Sequence, residues 1–297
     1  FSTGEIVYGA KSTSWAPIDN LDDALAHVRR LAAQGAISVK NYNQPRREQR
    51  QQVIEAARQE GLISVAEGGS LYQLDMSMIA DGITGIEHNV PTLKMYDDVH
   101  QFWRQSGAGY TPTLVVTYGG LTSEDYFYQN TEVWKHPILS NFVPPSQLQA
   151  RSVRRVTAPE EDYRDDDSAA AAKILMDAGI MVNIGAHGQR EGLASHWEMW
   201  SFARGGFSPM EALATATINP ARHLGMDKDI GSLEAGKLAD LVIVDANPLD
   251  DIRNTDRISH VMINGRLYSA GDLSEEVTGT ATLSPFHWQT TPQGAIR

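Results

Sequence analysis

The sequence predicts an α/β fold with parallel strands, on three observations. Between Asp19 and about Gly185, amphipathic helical patterns alternate with short apolar runs, as parallel strands with crossover helices require. Helical patterns stop at Gly35 and Gly61, and a β-type run follows each at once. With 297 residues, 41% of them hydrophobic, the chain can bury a substantial core. Periodicity leaves open whether the sheet is doubly wound or part of a (β/α)8 barrel.

The first helix runs over 20–34, with Asn20 as N-cap. Strand Ala36–Tyr42 follows, then a helix from about Arg46 to Gln59 and strand Leu62–Ala66. Next come a helix near Leu74–Ala80, strand Thr84–His88, a helix around Asp97–Gln105 and strand Thr111–Thr117. The stretch Tyr118 to Tyr163 is too long for an ordinary connection. It carries Tyr126, Phe127, Tyr128, Trp134 and Phe142 but few regularly spaced aliphatics, so it reads as a lid-like insertion over the strand ends rather than a domain of its own. The rhythm resumes with helix Asp167–Asp177 and strand Ile180–Gly185. Ser208, Pro209 and Glu211 form a capping-box start to a helix ending near Thr217, and a short helix runs on to Leu224. The β-type runs 239–244, 258–263 and 266–268 follow, with Asn264-Gly265 as a hairpin turn. Three parts result: an α/β part over 1–225, a β part over 226–275 and a loosely structured tail over 276–297.

A formal charge of −12 argues against a nucleic-acid partner. The absence of cysteine excludes disulfides, thiolate metal sites and Cys nucleophiles. No run of 18 uninterrupted apolar residues exists, so no membrane span is expected. Gly107-Ala-Gly109 lacks the third glycine and the helix start of a dinucleotide site. The chain starts at Phe1 without a signal-peptide pattern, which suggests processing or, given the motifs below, a fragment.

In parallel α/β folds chemistry gathers at the C-terminal ends of the strands. Those ends carry Lys40, Glu67, His88 and His187, while the fourth ends in Thr117-Tyr118 without a charged group. Each has a plain reading: Lys40 solvated or salt-bridged, Glu67 a helix cap, His88 a satisfied buried imidazole, His187 part of a polar loop. Together, oxygen and imidazole donors on one rim suit a divalent metal. Tyr118 and Arg190 are candidates for contacting a carbonyl oxygen or a substrate carboxylate. His196 and Glu198 are expected to open the next helix and support the site from behind.

The segment Ile230-Gly-Ser-Leu-Glu-Ala-Gly-Lys-Leu-Ala-Asp-Leu-Val-Ile-Val-Asp-Ala-Asn-Pro-Leu249, preceded by Ser208 to Gly225, resembles the C-terminal part of metal-dependent amidohydrolases of the imidazolonepropionase-like and prolidase-like subgroup. The resemblance implies a partial (β/α)8 TIM-like barrel, strands about 4 to 8, followed by a small β-sandwich element. It implies a carboxylated lysine at Lys40 and metal ligands at Glu67, His88 and His187, with His187 also the acid/base. Glu67 stands where the family usually has His, and His187 where it has Asp. The implied cofactor is one or two divalent ions, zinc first, with manganese or iron as alternatives. The implied activity is hydrolysis of an amide, peptide or lactone bond in a small molecule or short peptide by metal-activated water; homo-oligomerisation is left open. The family's strand 1 His-x-His is absent, since histidines stand only at 27, 88, 100, 136, 187, 196, 223, 260 and 287. Roughly the first third of a complete enzyme is therefore expected outside this sequence, and this chain alone is expected to bind metal poorly. The subgroup leans towards an exported or periplasmic setting. The rival expectation is a catalytically silent scaffold or binding module.

Overall fold

Each crossover helix has an apolar face to bury, and the parallel sheet is what it buries that face on. The computed structural model describes residues 3–8, 18–42, 44–69, 71–279 and 282–290. Strand β1 (Val7–Tyr8) precedes α1 (Leu21–Ala33), β2 (Ser38–Tyr42), α2 (Arg47–Gln59), β3 (Ile63–Glu67), α3 (Tyr72–Ala80), β4 (Gly85–Glu87), α4 (Asp97–Ser106) and β5 (Gly109–Thr111). Asn20 starts α1 by accepting the N–H of Asp23 at 3.0 Å. Ala24, Leu25, Val28 and Leu31 then turn one face inward, against Val39 of β2 and Val53, Ala56 and Ala57 of α2.

The five strands pair in chain order, all parallel. A doubly wound sheet reverses its order at a switch point; this one does not. Among the described residues no pairing joins the two edges, so the sheet is open and no closed barrel is formed. It also begins one strand earlier than expected, at β1.

Two expected strands are corrected. The run 111–117 leaves the sheet after Thr111: Thr113 is left-handed, with φ 54°, and Leu114–Val116 is a 3-10 turn. Its β-branched residues look like a strand, but a buried carboxylate on a distant helix binds the turn's N–H groups instead. The run 180–185 does lie beside β5, where Tyr110 N–H donates to Met181 O at 2.9 Å and Asn183 N–H to Tyr110 O at 2.8 Å. It makes only the single bridge Tyr110–Val182, because Ile184 N–H turns away to Thr215 O at 2.9 Å.

Residues 118–163 hold α5 (Ser123–Asn130), α6 (Leu139–Phe142) and α7 (Pro145–Gln149). Tyr126, Phe127, Tyr128 and Tyr163 enter the same apolar cluster as Ile86, Trp103 and Tyr110. Phe127 stacks on Trp197 at 5.2 Å, with 10° between the rings. The insertion therefore shares the core of the sheet and its helices. Beyond it come α8 (Asp165–Asp177), α9 (Ala194–Arg204), α10 (Pro209–Thr215) and α11 (Ile218–His223). The Ser208–Glu211 capping box forms as expected.

Strands β6 (Leu241–Val244), β7 (Ile258–Ile263) and β8 (Arg266–Ser269) make a separate antiparallel sheet. Asn264 and Gly265 both have positive φ, 49° and 77°, as a two-residue hairpin turn requires. Among the described residues this is one three-stranded sheet, not two facing layers. Part of the tail is docked: before the short helix α12 (His287–Thr290), the Phe286 ring meets Phe142 at 6.3 Å. Gln289 Nε2 donates to Asn141 O at 3.2 Å. Residues 280, 281 and 291–297 of the expected loose tail lie outside the described residues. No described helix is long and apolar enough to cross a membrane.

Candidate functional site

Side chains alternate along a strand, so the register decides which residues share a face. Lys40 pairs with Val65, Glu67 with Glu87, and Glu87 with Thr111. Lys40, Glu67 and Glu87 therefore stand on one face of the sheet, at its C-terminal edge. Lys40 Nζ lies 3.5 Å from Glu67 Oε2. On Glu67's other oxygen, Oε1, His88 Nε2 approaches to 3.9 Å. The His88 ring lies 5.1 Å from that of His187 and 5.4 Å from that of Tyr118. The structure thus brings Lys40, Glu67, His88, His187 and Tyr118 into one neighbourhood.

Both histidines have left-handed backbones, φ 73° at His88 and 53° at His187. Outside glycine this costs about 1–2 kcal/mol, and such strain concentrates where a side chain must be aimed against the local trend. At His88 the kink comes as its N–H reaches Thr111 O at 2.8 Å. Gly68 follows Glu67 because a Cβ there would stand 2.8 Å from Glu87 O. Asp75 pins this turn by accepting Gly69 N–H at 2.8 Å.

Burial holds His88 below its ordinary range, and the Glu67 charge only partly offsets this; its imidazole is neutral at pH 7, with a lone pair to give. Its Nδ1 is buried without a partner. Burial also keeps the Tyr118 hydroxyl above its ordinary value, a protonated donor at neutral pH. His187 Nδ1 lies 3.1 Å from Gln189 Oε1. An amide oxygen only accepts, so Nδ1 carries a proton. Gln189 Nε2 passes the contact to Glu124 Oε2 at 3.1 Å, and Glu124 is ion-paired with Arg151. Arg190 is placed by the same insertion, donating from Nε to the Tyr128 hydroxyl at 3.1 Å.

Glu87 is the residue that strand-end reasoning missed. Burial pushes its carboxyl up to about 7, against a hydrogen bond from Thr111 and the charge of Lys40. Alternation from Gly85 through Glu87 was the signal that could have found it. Glu198 does stand behind the site: it accepts N–H groups from Leu114 at 2.7 Å, Val115 at 3.0 Å and Gly185. His196 has a different neighbour, since burial first and then its nearness to His136 bring it down to about 4.

The donor chemistry, one carboxylate and two imidazoles, suits a divalent cation. Among the described residues, however, no three His, Cys, Asp or Glu side chains meet closely enough to enclose one.

A family model described as "Amidohydrolase family" matches residues 47–268. A 5-methylthioadenosine/S-adenosylhomocysteine deaminase of Moorella thermoacetica is 29% identical over 147 residues, 41% of this chain and 34% of that protein. An imidazolonepropionase of Shouchella clausii is 42% identical over 80 residues, 26% of this chain and 18% of its own length. Among solved structures, a Xaa-Pro dipeptidase with bound methionine in its active site superposes with TM-score 0.62 at 21% identity, covering 89% of this chain and 66% of that one. A phenylurea hydrolase B superposes with TM-score 0.60 at 19% identity, covering 90% and 60%. The chain spans about a third or less of these curated relatives and no more than two thirds of these structures.

Proposed function

Because the chain belongs to the amidohydrolase family, whose members hydrolyse C–N bonds, we propose that it forms part of a hydrolase cleaving an amide, peptide or lactone-type bond at the Lys40–Glu67–His88–His187 rim. The observation that carries this reading is the convergence of those side chains on one sheet edge, with a neutral His88 3.9 Å from Glu67. We read the parallel sheet as part of a (β/α)8 barrel, β2 standing as strand 4 and β1 as strand 3; the unreversed strand order supports it.

Glu67 and His88 would hold a divalent ion, zinc before manganese or iron, with His187 beside them. When bound, the ion supplies water activated near neutral pH and polarises the scissile carbonyl. Lys40 as an ammonium has no lone pair; only as a carbamate, formed with carbon dioxide, would it join the ligands. His187 Nε2 can take a proton from water and return it to the leaving group. Tyr118 donates to the carbonyl oxygen, and Arg190, held by Tyr128, takes a substrate carboxylate. The insertion over 118–163 acts as a cover, its hold on His187 running through Glu124 and Gln189.

The second reading, a silent scaffold, is favoured by the lack of any three His, Cys, Asp or Glu side chains close enough to enclose an ion among the described residues. Because part of the enzyme is expected outside this sequence, zinc titration of the full-length protein that contains this chain, with hydrolysis of a dipeptide and lactone panel, separates the two. Turnover lost in both Glu67→Gln and His88→Ala supports the enzyme. Turnover absent at every zinc concentration, with zinc uptake unaffected by those substitutions, supports the scaffold.

A further inference from the structure

A cavity of about 240 Å³ lies where the insertion, α9 and the turn Ile252–Asp256 meet. None of its lining residues belongs to the rim described above. Its apolar wall is Val133, Leu193, Trp197 and Trp200. The Trp200 indole N–H is spent on Ile252 O at 3.1 Å and Thr255 Oγ1 at 3.0 Å, so that ring brings apolar surface and no free donor. Of the charged lining groups, Lys135 and Glu132 neutralise each other at 2.9 Å.

Asp256 is what remains. Its side chain is 24% exposed, and the nearest cationic candidate, His136 Nε2, stands 4.0 Å away, too far for a hydrogen bond. His136 Nδ1 already accepts the N–H of Leu139 at 3.2 Å, which fits a neutral ring. Burial lowers His136 and raises Asp256 from their ordinary values, each offset only in part by the other, and Arg257 acts on Asp256 more weakly still. No Lys or Arg lies within ion-pair distance of Asp256 among the described residues. A half-buried carboxylate beside an apolar wall is the chemistry that receives a cation with an apolar body.

We propose that this cavity is a second binding site, selective for a small organic cation such as an amine or amidine on a compact apolar frame. Asp256 carries the charge recognition, and the apolar wall of Val133, Leu193, Trp197 and Trp200 receives the frame.

The probe is benzamidine, a flat aryl amidinium, compared with benzyl alcohol and benzoate. Binding to the whole chain is followed by tryptophan fluorescence and calorimetry at pH 7.5. The expected result is saturable binding of benzamidine at least tenfold tighter than of either comparison compound, and at least tenfold weaker in Asp256→Asn. Equal affinity for benzamidine and benzyl alcohol, no saturable binding at millimolar benzamidine, or unchanged affinity in a folded Asp256→Asn protein would each overturn the proposal. The comparison of the three compounds on the unsubstituted chain stands even if the variant does not fold. None of these readouts depends on the hydrolase reading.

Discussion

The Glu198 carboxylate receives the backbone N–H of Leu114 at 2.7 Å across 84 positions of sequence. It also takes Val115 N–H at 3.0 Å and the N–H of Gly185, two residues before His187. Burial pushes this carboxyl up to about 8, against the pull of those three donors. One side chain thus ties the turn after β5 to the approach to the rim. Glu198→Ala leaves buried donors unpaired, and a loss of about 3–5 kcal/mol is expected in urea unfolding. Glu198→Gln keeps one acceptor oxygen and should lose clearly less.

His187 is left-handed at φ 53°, a conformation that glycine adopts freely. His187→Gly should therefore be more stable than His187→Ala by about 1 kcal/mol. Two equilibrium denaturation curves decide it. Equal stability would mean that the backbone relaxes once the ring is gone.

Gly109 faces the ring of His223: a Cβ there would stand 2.6 Å from His223 Nδ1 and 3.1 Å from Asn183 Nδ2. Gly109→Ala should cost about 1–3 kcal/mol by overpacking. In a His223→Ala background most of that cost should vanish, a coupling of about 1 kcal/mol or more in a double-mutant cycle.

Asp81 accepts hydrogen bonds from Arg47, Arg50 and Gln51. Burial alone would raise its carboxyl, but these donors together hold it below the ordinary 3.8. A depressed native value stabilises the fold above the unfolded value and ceases to as pH falls through the native one. Asp81→Asn, which leaves the buried Arg50 short of its partner, should lose about 3 kcal/mol at pH 7. That deficit should shrink as pH drops below 3.8. A deficit independent of pH between 7 and 2 would remove the charge from the explanation.

Local rules made part of this molecule legible. Asn20, Ser208 with Glu211, and Asn264-Gly265 act within a few residues of themselves, and each does locally what its chemistry dictates. Lys40, Glu67 and His88 could be read because a strand carries its last residues to the same edge as its parallel neighbours. Leu114 to Val116 could not, since the competitor for their N–H groups lies on α9. Glu87 was hidden for a related reason: its setting is made by Thr111 and Lys40 across the sheet, not by its sequence neighbours. The roles of the rim residues depend on how their side chains meet, which no strand-end count can supply.

Gln289 meets Asn141 across 148 positions, and this sets a timetable for folding. During synthesis at about 5–20 residues per second, the α6 part of the insertion waits on the order of 10 s for residues 286–290. For that interval the Phe142 ring lacks its Phe286 partner and offers apolar surface to chaperones or to other nascent chains. The contacts of α6 with residues 271 and 286–290 are thus the last that the insertion acquires.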